Sequence, residues 1–171
     1  MPSQKSMGDP PERSRKQFDG SQQQPPHDDF VLFLDENLHK CAPILSVLEQ
    51  ANIRYKRHTD IFEPGVLDEV WLPKVCQHGW IVLTKDKGIR YNELEIRAII
   101  SNKGREFVFT SGNLSGAQMA EILSKALPKI QRLSQRVSAP FIASITQKGE
   151  VHVRYDENGS VYEQRRKARS K

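Results

Sequence analysis

The stretch FVLFLDENL, Phe30 to Leu38, is an apolar run of strand length that ends in two carboxylates, Asp35 and Glu36. A strand should be leaving the core at that point. Downstream, the pattern changes to helical spacing in CAPILSVLEQAN, where Cys41, Ile44, Leu45 and Leu48 share a face and Pro43 falls near the first turn. IRYKR (Ile53 to Arg57) reads as a second strand. LDEVWLPKVCQHG reads as a helix from Leu67 to a stop at Gly79, bent at Pro73. WIVLT is a third strand, IRYNELEIRAIISNKG a helix closed by Gly104, and EFVFT a fourth strand. Ser115 and Gln118 form a capping box. The helix it opens carries Met119, Ile122, Leu123, Ala126, Leu127 and Ile130 on one face, with a kink expected at Pro128. FIASITQKGEVHVRY reads as a hairpin turning at Lys148 and Gly149. Strand and helix alternate four times, which argues an α/β fold: a mainly parallel sheet with helices on both faces and right-handed crossovers. Ligands of such sheets bind outside the carboxyl ends of the strands, the edge where Asp35 and Glu36 fall.

Composition sets the frame around this pattern. At 171 residues and 37% hydrophobic, the chain suits one domain with tails. No apolar run approaches a membrane span, and MPSQKSMGDPPERSRKQ has no apolar signal region, so the expectation is a soluble, cytoplasmic protein. Residues 1–29 are rich in Pro, Gln, Ser and Gly and are expected to be disordered. The folded domain is expected over 30–163, followed by a tail, QRRKARSK (164–171), with five basic side chains and no acidic one. Such a tail can hold nucleic acid by its phosphates or serve as a frayed, solubilising end, and the run supports both equally. Cys41 and Cys76 have no CxxC partner and read as reduced, buried side chains. Their spacing to His39 and His78 matches no usual zinc motif.

Two more acidic positions reach the edge marked by Asp35. Asp68 opens the helix after the second strand, and Asp86 follows the third strand in IVLTKDKG. Singly, Asp68 reads as a helix cap and Asp86 as a turn former. Jointly they favour a site, because three separate loops deliver a carboxylate to one rim. Two carboxylates about 4 Å apart repel by roughly 1 kcal/mol in water and about 4 kcal/mol at an effective dielectric of 20. Such a cluster calls for a cation, a shared proton or a basic neighbour. Oxygen ligands suit Mg²⁺ or Mn²⁺, and Lys85, Lys87 and Arg90 flank Asp86 where phosphates would lie. This constellation can hydrolyse a phosphodiester through a metal-activated water. His58, in HTDIFEPG, can approach substrate but reads first as a solvated loop histidine, and Trp71 and Trp80 read as core anchors.

The ordered series FLDENL, FEPGVLDEVWLP, GWIVLTKDKGIR, FVFTSGNLSG and PFIASITQKGEV resembles the PIN-like domains grouped with VapC-type toxins, over Phe30 to about Tyr155. The resemblance implies a three-layer α/β/α sandwich with a C-terminal hairpin and Mg²⁺- or Mn²⁺-dependent endoribonuclease chemistry. It also implies RNA as substrate and an antitoxin encoded beside the toxin. The family's acidic positions carry over to Asp35, Asp68 and Asp86, with Glu36, Asn37, Thr84 and Asn113 as supporting groups. Where PIN nucleases have a fourth acidic residue near the end of strand four, this chain offers only Ser111 and Asn113 in TSGN. That departure keeps a second reading open, a catalytically silent RNA-binding or protein-interaction module on the same fold. A receiver-like signalling domain ranks third, because Asp86 lies beyond its strand and no lysine follows a fifth parallel strand. A homodimer is compatible with all of these.

Overall fold

The computed structural model describes residues 30–85 and 92–170. The N-terminal stretch expected to be disordered lies outside the described residues, as do Asp86, Lys87 and Arg90. In chain order the elements are β1 (Val31–Leu34), α1 (Ala42–Gln50), β2 (Arg54–Arg57), α2 (His58–Ile61), α3 (Asp68–Gln77), β3 (Ile81–Thr84) and α4 (Glu93–Ser101). They continue with β4 (Arg105–Phe109), α5 (Gly116–Arg136), β5 (Phe141–Ile145), β6 (Val151–Asp156), β7 (Gly159–Ser160) and α6 (Val161–Arg169). The strands form a single sheet in the order β2-β1-β3-β4-β5-β6-β7. Pairing is parallel from β2 through β5 and antiparallel from β5 to β7.

Strands β1, β3 and β5 are buried at every position because helices cover both faces of the sheet. On one face Leu32, Leu34, Leu83, Phe107, Phe109 and Phe141 pack under α1 and α5, joined by Ile44, Leu48, Leu123 and Ile130. On the other, Phe33, Val82, Val108 and Ile142 meet Trp71, Leu72 and Val75 of α3 and Ile99 of α4. Alternation along each strand divides the side chains between two cores. The result is the three-layer α/β/α sandwich with a mainly parallel sheet and a C-terminal hairpin. Edge strand β2, RYKR, keeps its charged side chains in solvent, which blunts pairing with other chains.

The capping box at α5 is present in both directions. Ser115 Oγ accepts from the Gln118 amide at 3.2 Å, and Gln118 Oε1 accepts from the Ser115 amide at 2.8 Å. The helix continues through Pro128, and α3 through Pro73, so neither proline ends its helix. Buried Leu127 and Ile130 on either side of Pro128 hold the α5 backbone against the sheet. The hairpin turns where expected, with the Gly149 amide donating to Thr146 O at 2.9 Å and Gly149 at φ +74°. Three elements are additional to the sequence reading: α2, β7 and α6. The expected boundary between residues 163 and 164 falls inside α6, so the basic end is the greater part of a helix. Among the described residues no helix is long and apolar enough to cross a membrane.

Candidate active site

Leu34 ends β1 in register with Leu83 of β3, so the next residue on each strand, Asp35 and Thr84, lies on the α3/α4 face at the carboxyl edge. The chain turns sharply there: Asp35 O accepts from the amides of Leu38 at 3.1 Å and His39 at 2.9 Å. The Asp35 side chain caps the same turn, with Oδ1 accepting from the amides of Asn37 (3.1 Å) and Leu38 (3.2 Å). Its Oδ2 accepts from Thr84 Oγ1 at 2.5 Å and from Asn37 Nδ2 at 3.3 Å. Asp35 is only 8% exposed, and burial pushes its carboxyl above the usual aspartate value although these hydrogen bonds pull the other way. Among the described residues it takes part in no ion pair.

Asp68 is the first residue of α3 and not its cap, the position held by Leu67. Its Oδ1 accepts from Trp71 Nε1 at 2.8 Å, which ties the carboxylate to an indole buried against Phe33. Glu36 Oε1 accepts from the Gly65 amide at 2.6 Å and so pins the α2–α3 connection to the β1 turn. Asp35, Glu36, Asn37, Asp68 and Thr84 all line one cleft. The structure therefore gathers five of the sequence-derived positions.

Other positions are not gathered there. Asn113 is exposed in the β4–α5 connection and is absent from the cleft lining. Ser111, its neighbour, accepts from Gln147 Nε2 at 2.7 Å and braces the hairpin. Lys85 is half-buried just beyond β3 and does not line the cleft. Asp86, Lys87 and Arg90 are outside the described residues.

Two acidic lining residues, Glu106 and Glu95, escaped sequence reasoning. Glu106, the second residue of β4, is 3% exposed, and Glu95 projects from the first turn of α4; both line the cleft. The cleft thus draws carboxylates from within β4 and from α4, not from the segment after β4. Glu106 carried a readable signal, since a carboxylate leading straight into the apolar run FVF of a central strand is uncommon. Glu95 carried none, because Glu93 competes with it in the same turn. His58, the first residue of α2, lines the cleft too, and it is fully buried, not the solvated loop residue expected. Phe33, Phe62 and Trp71 surround its ring at centroid distances of 6.1, 5.4 and 5.8 Å. Neither ring nitrogen has a hydrogen-bond partner, and Nδ1 is 3.5 Å from Glu36 Oε1.

Trp71 and Trp80 both pack on Phe33, as core anchors should. The Cys76 thiol is pushed up to about 11, chiefly by burial and secondarily by the charge of Glu106, so it is inert at neutral pH. Among the described residues no group of three His, Cys, Asp or Glu side chains stands close enough to hold a metal ion.

Residues 30–111 match the family described as PIN like domain. Over these residues, just under half of the chain, the sequence is similar to PIN-like domains. A Mycobacterium tuberculosis protein named "Putative ribonuclease VapC45" is 25% identical over 118 residues, covering 67% of this chain and 84% of that protein. No solved structure matches the chain. The matched span holds every lining residue of the cleft, from Asp35 to Glu106.

Proposed function

We propose that the PIN-like domain is an endoribonuclease that uses Mg²⁺ or Mn²⁺ bound in the cleft, with Asp35 and Asp68 as ligands and Asp86 as a third. The observation that carries this reading is the Asp35 carboxylate, buried at the carboxyl edge of β1 among neutral donors and sharing its cleft with Asp68. A buried carboxylate needs a proton or a cation, and the ligand atoms it shares the cleft with are oxygens of the kind hard divalent cations take. Asp35 and Asp68 supply two oxygen ligands of that kind on one cleft, with Asp86 proposed as the third. When bound, the cation supplies polarisation of the phosphoryl oxygen and a water of lowered pKa. Thr84 and Asn37 fix the Asp35 oxygens, and Trp71 fixes one oxygen of Asp68, so both carboxylates are oriented before any ligand arrives. Lys85, Lys87 and Arg90 would meet substrate phosphates.

The name of the mycobacterial relative supports RNA as substrate. The toxin of a toxin–antitoxin pair, acting in the cytoplasm and held in check by a cognate antitoxin, is the finer form of this reading. Incubation of the purified protein with a mixed RNA pool tests it. Cleavage is expected with Mn²⁺ or Mg²⁺, and its loss in EDTA and in folded Asp35→Asn and Asp68→Asn proteins. Cleavage that persists in EDTA would reject the metal mechanism. Intact RNA at millimolar metal would favour a silent binding module on the same fold.

A further inference from the structure

The acidic cleft raises a physical difficulty for an RNA substrate. Asp35, Glu36, Asp68, Glu95 and Glu106 line it, and its lining includes no Lys or Arg among the described residues. A polyanion is repelled by such a lining until a cation arrives. Beyond the phosphate contacts proposed for Lys85, Lys87 and Arg90, a hold on the strand can come from farther out on the molecule, and helix α6 has the chemistry for it.

Helix α6 carries Arg165, Arg166, Lys167 and Arg169, and none of its nine residues is buried. It docks through Val161 and through Gln164, whose Nε2 donates to Asp156 Oδ1 at 2.9 Å and to Gly159 O at 3.3 Å. On a helical period, Tyr162, Arg165, Arg166 and Arg169 stand at i, i+3, i+4 and i+7 and form one exposed stripe beside the docking residues. Tyr162 is 72% exposed, an unusual place for a large ring. The four cations take part in none of the ion pairs among the described residues. Cations in a last helical turn do complement the helix dipole. That role gives no reason for an exposed ring amid three arginines.

We propose that the Tyr162–Arg165–Arg166–Arg169 face of α6 is a docking surface for single-stranded RNA, with the arginines on phosphates and Tyr162 under a base. Aromatic rings and arginine guanidinium groups together are the usual platform for unpaired strands, because every base has a face to stack and every nucleotide a phosphate. A membrane surface is a poorer occupant, since α6 lacks the apolar face that insertion needs. An acidic protein would engage the arginines and leave the ring unexplained. The inference rests on the RNA reading of the cleft, deepens it, and is tested separately from cleavage.

The experiment measures binding of a labelled, unstructured oligoribonucleotide to full-length Asp35→Asn protein in EDTA, so that no cleavage intervenes, across a series of salt concentrations. Arg166→Gln with Arg169→Gln should flatten the plot of log K against log[salt] by about 1.4, roughly 0.7 for each phosphate no longer neutralised. Tyr162→Ala should weaken binding by about tenfold or more with the slope unchanged, and Tyr162→Phe should restore it. Circular dichroism and melting curves matching the parent would show that each variant is folded. Affinity and slope unchanged in all variants would overturn the proposal. A flattened slope with Tyr162→Ala neutral would overturn the stacking role and leave a polyanion site, which heparin would then share. RNA held by α6 but never cleaved by wild-type protein with Mn²⁺ would sink the nuclease reading alone. Cleavage with α6 variants binding normally would sink this one alone.

Discussion

The surroundings of Asp35 disfavour its charge. Desolvation holds its carboxyl above the ordinary value of 3.8, which means that the folded state favours the protonated form. The stabilising contribution of a group with a raised folded pKa is present below the unfolded value and is lost as pH rises through the folded one. Wherever the carboxylate is ionised in the folded protein, its charge therefore subtracts stability. Asp35→Asn keeps the size of the side chain and can keep its turn-capping bonds, so in EDTA it should melt higher than wild type at pH 7. The gain should shrink as pH falls toward 3.8, which melting curves from pH 7 to 4 would follow. A lower melting point for the variant at pH 7 would mean that the fold favours the charge. His58 poses a related case, a fully buried ring whose nitrogens have no hydrogen-bond partner amid Phe33, Phe62 and Trp71. His58→Phe removes the polar atoms and keeps the shape, so it should leave stability unchanged or raise it by about 1 kcal/mol, whereas His58→Ala should cost about 2–4 kcal/mol through the cavity it leaves. Urea unfolding at pH 7 separates the two. The burial of His58 was not legible in HTDIFEPG, which is locally a polar turn. The rings that enclose it come from β1, from the connection after α2 and from α3, and only tertiary packing brings them together.

Elements were legible where local chemistry and periodicity agreed. Helix α5 announces itself by Ser115 and Gln118 at one end and by seven buried residues along one face. Ser115→Ala removes an acceptor from the Gln118 amide and should cost about 1 kcal/mol, read as a lowered urea midpoint with an unchanged slope. The β5–β6 turn is as explicit. Gly149 takes a positive φ, and a Cβ there would stand 2.8 Å from the Cβ of Lys125, so Gly149→Ala should destabilise by more than the turn conformation alone demands. An effect below about 0.5 kcal/mol would show that the hairpin rides free of α5. Helix α2 and strand β7 went unread because four and two residues are too few to display a period. Helix α6 was unread for a different reason: it buries nothing, so no apolar repeat distinguishes it from a charged tail. Its boundary appears only once Gln164 is seen bonded to Asp156 and Gly159.

At the scale of the molecule, strand–helix alternation was enough to expect the layered parallel sheet, and the rule that sites gather at carboxyl edges was enough to find Asp35 and Asp68. The same rule misses Glu106 and Glu95, because they enter the cleft from inside β4 and from α4, whose placement depends on how α4 packs over the sheet. Bringing the Asp35 and Asp68 carboxylates into one cleft sets like charges beside each other in the apo fold, and a cation that binds only the folded state relieves that repulsion. Bound metal stabilises by RT ln(1 + [L]/Kd), about 1.4 kcal/mol at ten times Kd, which for a domain of this size raises the melting temperature by roughly 3–6 °C. Wild-type protein should therefore melt higher in Mn²⁺ than in EDTA, by an amount that grows with concentration. Sodium chloride at matched ionic strength should not reproduce the rise, because screening alone supplies no coordinating cation in a buried cleft. Asp35→Asn should reverse the ranking of the two proteins: more stable than wild type in EDTA, where it removes a buried charge, and no more stable in Mn²⁺ than without it. An equal Mn²⁺ rise in wild type and Asp35→Asn would place the cation at some other surface and detach Asp35 from the proposed site. A rise that is lost in Asp35→Asn and in Asp68→Asn alike would tie both carboxylates to one ion, because two independent sites would each leave the other's contribution standing.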